Sequence, residues 1–379
     1  MSDHFAIQGD LVIGDRLEPG AVVIEAGRIE AVVREPRDGN LPERVIDAAI
    51  VAPGLIDLQV NGGYGVEIGD DPAAMRHLSA CLPSAGVTAY LPTFISANAP
   101  QYAQAFAAFD AARDAAGAKP LGLHLEGPFL SPIRAGAHRR EALELADDAL
   151  FETLLAAESL RLMTLAPERP GADQRIRKLV ERGVLVSLGH TNATYEQFEA
   201  GVDAGARMAT HLYNAMSPFG HRTPGAIGAA LVDARVTVGL IADGVHSHPA
   251  SIDLAVRAKG SERIALVSDL MQAAGMPPGN YELGGQTVIV DGSTARLPGG
   301  ALAGSIVTLD QAVRNVVAWT DADPAQAIQV ASEIPARLLG LPDRGRLSAG
   351  FAADLVLFDS VLNVQATIIG GEIVHRRET

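Results

Sequence analysis

Hydrophobic and polar positions follow one rhythm at the two ends of the chain and another in its middle. Over residues 5–33, FAIQGDLVI, AVVIEAG and RIEAVVRE read as short strands separated by Glu18-Pro19-Gly20 and Ala26-Gly27-Arg28. Near the other end, GRLSAGFAADLVLFDS (345–360) and QATIIGGEIVHR (365–376) repeat the strand–turn–strand pattern. This predicts a small β-sandwich domain built from both chain termini, residues 1–52 with 344–379. Between them, short apolar runs alternate with alanine-rich helical stretches. Eight runs read as strands: 55–60, 87–94, 121–127, 162–167, 184–190, 207–214, 238–244 and 263–270. Most are nearly continuous in apolar character, as parallel strands buried on both faces must be. Helical patterns at 72–82, 101–116, 140–157, 172–182, 194–204 and 248–259 separate most of them; the segment after the sixth run has no clear pattern. A glycine-rich insertion, 275–304, predicts a hairpin. Helices at 308–319 and 324–339 follow, the second opening on Asp323-Pro324, an N-cap and a proline at the first helical position. The class is α/β, a (β/α)₈ TIM-type barrel over residues 53–343.

Composition narrows the setting. Of 379 residues, 45 are acidic and 30 basic, a formal charge of −15 that argues against a nucleic-acid or anionic-membrane partner. The single cysteine, Cys81, permits no intrachain disulfide, and it falls in a helical pattern where packing is its expected role. No signal peptide is read in MSDHFAIQGD, and no apolar run has the length of a membrane span, so a cytoplasmic location is expected.

The chemistry is carried by polar residues that interrupt apolar strands. Gln59 and Asn61 end the first strand, His124 and Glu126 the third, His190 the fifth, and His211 and Asn214 the sixth. Asp243 and His246 follow the seventh, and Asp269 ends the eighth. All lie at C-terminal strand ends, where barrels of this kind carry their sites. A single histidine near a strand end is more often a hydrogen-bonded core or surface residue, and a lone Glu126 or Asp269 an ion-pair or capping group. Their coincidence on one face is what points to a site. Glu126, His190 and His211 form a one-carboxylate, two-imidazole set suited to Zn²⁺ with an open fourth position, and Fe²⁺ accepts the same donors. Asp269 is then a candidate general base and acid. His4, His77, His221, His248 and His375 fall in helical, loop or terminal segments and are not assigned a role.

The segments VAPGLIDLQVNG (51–62), HLEGPFL (124–130), GHTNAT (189–194), THLYNAM (210–216), IADGVH (241–246), LVSDL (266–270) and LAGS (302–305) occur in order along the chain. Together with GRLSAGFAADLVLFD (345–359), they resemble the N-acetylglucosamine-6-phosphate deacetylases of the amidohydrolase superfamily over essentially the whole chain. The resemblance implies hydrolysis of the acetamide of N-acetyl-D-glucosamine 6-phosphate in amino-sugar catabolism or cell-wall recycling. It implies Glu126, His190 and His211 as metal ligands, Asp269 as the acid/base, and His138 on the acetyl carbonyl oxygen with Ala137 beside it. Asn214 and Ala215 match sugar and phosphate contacts, and Arg222 and His246 match phosphate-binding residues. Leu302, Ala303 and Gly304 match a loop over the substrate. A homodimer is implied, with Arg222 reaching the neighbouring subunit's site. Gln59 and Asn61 stand where many amidohydrolases carry the two histidines that hold a second metal, and amides are poorer ligands than imidazole. One divalent ion per subunit is therefore expected, Zn²⁺ first, Fe²⁺ or Co²⁺ as alternatives. The other readings are an N-acetylgalactosamine-6-phosphate deacetylase, another amidohydrolase chemistry such as ring opening or deamination of a heterocycle, against which the missing histidine pair and the phosphate-contact motif speak, and a catalytically silent homologue.

Overall fold

The computed structural model describes residues 4–34 and 40–378. Residues 1–3 of the stretch read for a signal peptide, and Glu35 at the end of RIEAVVRE, lie outside the described residues. Among the described residues, eight parallel strands follow one another around a ring: Leu55–Val60, Val87–Ile95, Leu123–Glu126, Leu160–Leu165, Leu185–Leu188, Met208–Ala209, Thr237–Leu240 and Ile264–Leu266. A parallel bridge between Val60 and Leu270 closes it, with the Asn61 N–H donating to the Leu270 carbonyl at 2.8 Å. The order is sequential and every pairing parallel, the arrangement expected from the βα alternation. Strand residues such as Leu58, Leu91, Leu125, Met163, Leu188, Val238 and Leu266 are buried and merge into one apolar core with the inner helix faces. That burial is the main stabilising term, at roughly 25 cal/mol per Å² of apolar surface.

The strands end earlier than the apolar pattern suggests. Hydrophobicity continues through His190, Asn214 and Asp269, but the fifth, sixth and eighth strands stop at Leu188, Ala209 and Leu266. The reason is backbone geometry: His190, His211, Tyr213, Ala215 and Asp269 all have positive φ, between 30° and 79°. A left-handed residue cannot continue a β ladder. Two expected helices also divide. The 140–157 pattern is Arg140–Glu144 and Asp148–Leu155, because the Asp147 side chain accepts the Leu150 N–H and starts a new helix. The 324–339 pattern is Pro324–Gln329 and Glu333–Leu338, and Pro335, which lacks an N–H, prevents one continuous helix. The segment without a clear pattern forms the helix Gly225–Val232.

The terminal segments form a separate sheet. Its strand order is Glu372–Arg376, Val364–Ile369, Leu355–Phe358, Val45–Pro53, Phe5–Ile13, Arg16–Glu25, Arg28–Arg34. The sandwich-like layering comes from curling of this one hydrogen-bonded sheet rather than from two sheets. Ile24 and Ile29 near one edge share a core with Leu355 and Ile368 near the other, and the Gly27 and Gly370 turns touch. The insertion holds the expected hairpin, Gly279–Leu283 with Gln286–Val290, and a short third strand, Ala295–Arg296. Its tip is tied to the barrel mouth. The Gly284 N–H donates to Glu67 Oε1, Gln286 Nε2 to the Ala137 carbonyl and Arg139 Nη2 to the Gly285 carbonyl.

A polar layer crosses the barrel interior just below the mouth. His124 is fully buried, its Nε2 2.8 Å from Thr164 Oγ1. Thr164 Oγ1 is 2.7 Å from Thr210 Oγ1, which is 2.6 Å from Ser187 Oγ. Burial pushes the His124 imidazole down to about 4, so it is neutral at ordinary pH. Replacing Thr164 by Val removes a hydroxyl between two buried polar partners and should cost about 1–3 kcal/mol. Chemical denaturation of the variant checks this, and an unchanged midpoint and slope would refute it.

Candidate active site

Glu126 stands at the end of the third strand, buried, and is the hub of the barrel mouth. Its Oε1 is 2.9 Å from His211 Nε2 and 3.3 Å from His190 Nε2, and the two imidazole nitrogens are 3.1 Å apart. Burial alone would raise the Glu126 carboxyl, but the hydrogen bonds and charges of His190 and His211 outweigh it and hold it well below the usual carboxylate range. The carboxylate acts reciprocally on His211, whose imidazole is raised by its hydrogen bond to Glu126 despite burial. The left-handed backbone at His190 and His211 turns both rings into the same space. Behind His190 the chain passes very close: a Cβ on Gly136, where φ is 58°, would lie 3.0 Å from the imidazole Cε1.

The donor set fits a divalent cation. His190 Nδ1 lies 2.8 Å from the Arg134 carbonyl oxygen and must donate to it, which leaves the Nε2 lone pair facing Glu126 and His211. Three acceptor-type atoms then crowd within 3.3 Å, an arrangement that needs shared protons or a cation. Ligands at Zn distances of about 2.0–2.1 Å in a tetrahedron lie roughly 3.3 Å from one another. A second grouping of Glu126, His138 and His190 also has convergent donor atoms. The shorter separations favour His211 over His138, whose Nε2 is 3.7 Å from Glu126 Oε2.

Asp269 faces this cluster from just past the end of the eighth strand. Its Oδ1 accepts from Gln59 Nε2 at 3.0 Å and Asn61 Nδ2 at 2.6 Å, and Gln59 Nε2 also reaches Glu126 Oε1 at 3.1 Å. The amide carbonyl oxygens of Gln59 and Asn61 are buried without hydrogen-bond partners. Burial first, then the Glu126 charge, raise Asp269 to about 6, opposed by His211, His246 and Asn61. This is the range in which one carboxyl both accepts and returns a proton.

His138, on the loop after the third strand, has a fixed tautomer. Its Nδ1 accepts the Ser96 N–H at 3.2 Å and lies 2.8 Å from Ser96 Oγ, so the ring proton sits on Nε2. Burial and the neighbouring His190 push the imidazole down to about 3. His138 is therefore a neutral donor. His246 is oriented by Asp243: Nδ1 is 2.7 Å from Asp243 Oδ2, while Asp243 Oδ1 accepts the Val245 and His246 N–H groups at 2.8 Å.

These groups surround a cavity of about 360 Å³. It brings together Asn61, Glu126, Ala137, His138, His190, His211, Asn214, Ala215, His246, Asp269, Leu302 and Gly304. Gln59 lies behind the wall, bonded to Glu126 and Asp269, and Ala303 is buried in the hairpin cluster. Arg222 is not brought to the cavity within one chain; it is exposed, with Nη1 2.6 Å from His221 Nε2. Sequence reasoning missed Ser96, Ile95, Arg134 and Leu283. Ser96 had one available signal, its position just past the second strand, in step with the other site residues. The remaining three carry no polar anomaly in the pattern, or act through backbone.

The fold and this site place the chain in a class of barrel hydrolases, and it belongs to the amidohydrolase family, which it matches over residues 50–374. It is 39% identical over 368 residues to the N-acetylglucosamine-6-phosphate deacetylase of Bacillus subtilis strain 168, covering 94% of this chain and 93% of that one. It is 42% identical over 356 residues to the N-acetylgalactosamine-6-phosphate deacetylase of Escherichia coli O157:H7, covering 92% and 93%. A Mycobacterium smegmatis N-acetyl-D-glucosamine-6-phosphate deacetylase mutant, solved in complex with N-acetyl-D-glucosamine 6-phosphate, superposes with a TM-score of 0.92 at 35% identity, covering 98% and 99%. The family resemblance read from the motifs is borne out.

The His138 tautomer is open to measurement. In long-range ¹H–¹⁵N spectra of the metal-free protein, His138 should remain neutral from pH 5 to 8 with its proton on Nε2. A protonated Nδ1 would contradict the geometry.

Proposed function

We propose that the chain hydrolyses the acetamide of N-acetyl-D-glucosamine 6-phosphate to D-glucosamine 6-phosphate and acetate. The observation that carries this reading is Asp269, held by Gln59 and Asn61 and facing the Glu126–His190–His211 cluster across one cavity. The names of the relatives support the substrate. Glu126, His190 and His211 hold one divalent ion, Zn²⁺ by donor preference, which supplies Lewis acidity toward the carbonyl oxygen and the attacking water. Asp269 takes a proton from that water as its oxygen bonds the acyl carbon. His138 donates its Nε2–H to the carbonyl oxygen as negative charge gathers there. Asp269 then gives its proton to the departing nitrogen, the C–N bond breaks, and acetate and the amine are released.

His246, Asn214 and Ala215 bind the sugar phosphate, with Asp243 holding the His246 ring. Arg222 completes the phosphate site of a neighbouring copy in a homodimer, which accounts for its place outside its own cavity. A guanidinium suits this role because it grips phosphate oxygens in pairs. The barrel of 53–343 carries all of these residues and the unit of 1–52 with 344–379 carries none. Among the described residues, no helix is long and apolar enough to cross a membrane, and we place the enzyme in the cytoplasm. The similarity to the E. coli relative favours one second reading, the galactosamine epimer of the same substrate.

Acetate release from both 6-phosphorylated epimers and unphosphorylated N-acetylglucosamine tests the assignment. Wild type should turn over the glucosamine compound fastest, and Asp269→Asn should lose turnover while retaining bound metal. Arg222→Ala should lose efficiency on the phosphorylated sugars far more than on the unphosphorylated one. Faster turnover of the galactosamine epimer would select the second reading, and no acetate from metal-loaded protein would refute both.

The acid limb follows from Asp269. Its carboxyl must be ionised to accept the proton, so kcat/KM should fall as pH drops through the carboxyl's pKa, about 6 without metal and lower with a cation nearby. A profile flat down to pH 4 would remove Asp269 as the base.

A further inference from the structure

Two cavities share lining residues at the barrel mouth. Beside the catalytic one lies a second of about 650 Å³, between the loops that follow the first and second strands, the helix Arg140–Glu144 and the hairpin tip. Asn61, Ile95 and Leu283 line both. Ile95 and Leu283 belong to an apolar cluster with Met271, and Ala137 packs on it, so the shared wall is mostly hydrocarbon. The second cavity has the size that small-molecule sites use, and the proposed chemistry leaves it without a role.

Topology indicates what faces it. An amide carbonyl carbon carries the nitrogen on one side and the acyl substituent on the other. With His246, Asn214 and Ala215 on the amine side, the sugar phosphate extends toward the loops after the sixth and seventh strands. Ile95 ends the second strand, across the ring from them. The substituent on the acyl carbon then points at the Ile95–Leu283 wall.

We propose that this second cavity is an acyl subsite, and that glucosamine 6-phosphates N-acylated with chains longer than acetyl, such as propionyl and butyryl, are also hydrolysed. The inference rests on the deacetylase reading above. The reaction balances in the same way: water adds to the acyl carbon, the C–N bond breaks, the nitrogen takes the proton from Asp269, and a short-chain carboxylate leaves. The first added methylenes lie against Ile95 and Leu283. Beyond them the lining turns polar at Asp70, Asn98 and Gln101, which limits the chain to a few carbons.

Gly69 provides a clean test. It lines the second cavity and not the catalytic one, and a Cβ there meets nothing within 4 Å. Carboxylate release is measured from N-acetyl, N-propionyl and N-butyryl glucosamine 6-phosphate with wild type and Gly69→Trp. Since each methylene in an apolar pocket changes kcat/KM on the order of tenfold and butyryl carries two more than acetyl, wild type should hydrolyse the butyryl compound within about a hundredfold of the acetyl one. Gly69→Trp should lower butyryl hydrolysis on the order of tenfold while leaving acetyl within about twofold. Acetate release without propionate or butyrate overturns the subsite and leaves the deacetylase reading intact. Longer chains hydrolysed equally well by both proteins, or a variant that loses all three substrates alike, overturns the second cavity as their place. Release of no carboxylate overturns both readings.

Discussion

A carboxylate at the mouth of an apolar barrel cannot stand alone. Removing Glu126 from water is costly unless positive or hydrogen-donating groups surround it, and the architecture around it answers that requirement. His190 and His211 converge on one oxygen and the Gln59 amide donates to the same oxygen. The unusual backbone at the ends of the fifth and sixth strands is the means by which the two rings arrive there. The Arg134 carbonyl fixes which nitrogen of His190 faces inward. Under this cluster the His124–Thr164–Thr210–Ser187 layer offers every hydroxyl a partner, so the polar mouth sits on a satisfied floor rather than directly on hydrocarbon.

Asp269 shows how the same surroundings produce two different carboxyls. It and Glu126 share Gln59, yet one is driven down and the other up. Glu126 receives two imidazoles, whereas Asp269 receives neutral amides and feels the charge of Glu126. Neutral amides at positions 59 and 61 thus orient Asp269 without stabilising its charge as imidazolium groups would. His138 completes the division of labour as a donor that stays neutral because it is buried and its other nitrogen is occupied by Ser96.

Much of this was legible in the sequence because burial makes polar residues conspicuous. Glu126, His190, His211 and Asp269 interrupt apolar runs, and their shared place at strand ends follows from the βα alternation. Other features left no such trace. Left-handed φ at His211 or Asp269 has no signature when the residue is not glycine, so strand ends were read too long. Ser96 acts through its backbone N–H as well as its hydroxyl, and Arg134 through its backbone carbonyl, and main-chain groups leave no mark on the side-chain pattern. Ile95 and Leu283 look like ordinary core positions until two cavities are seen to share them. Arg222 is plain as a basic residue, but in the fold it is exposed and lies outside the cavity of its own chain.

The curled sheet has a consequence for how the molecule comes into being. Val45–Pro53, which leads directly into the first barrel strand, is hydrogen-bonded on one side to Phe5–Ile13 and on the other to Leu355–Phe358. The second partner emerges from the ribosome roughly three hundred residues after Val45–Pro53 itself, a separation that makes the pairing slow to form. Until then the nascent chain carries an open sheet edge beside the first strand of its barrel, the kind of surface that recruits chaperones or stray strands. Docking of Leu355–Phe358 on Val45–Pro53, rather than formation of the barrel strands between them, is the step that closes this sheet.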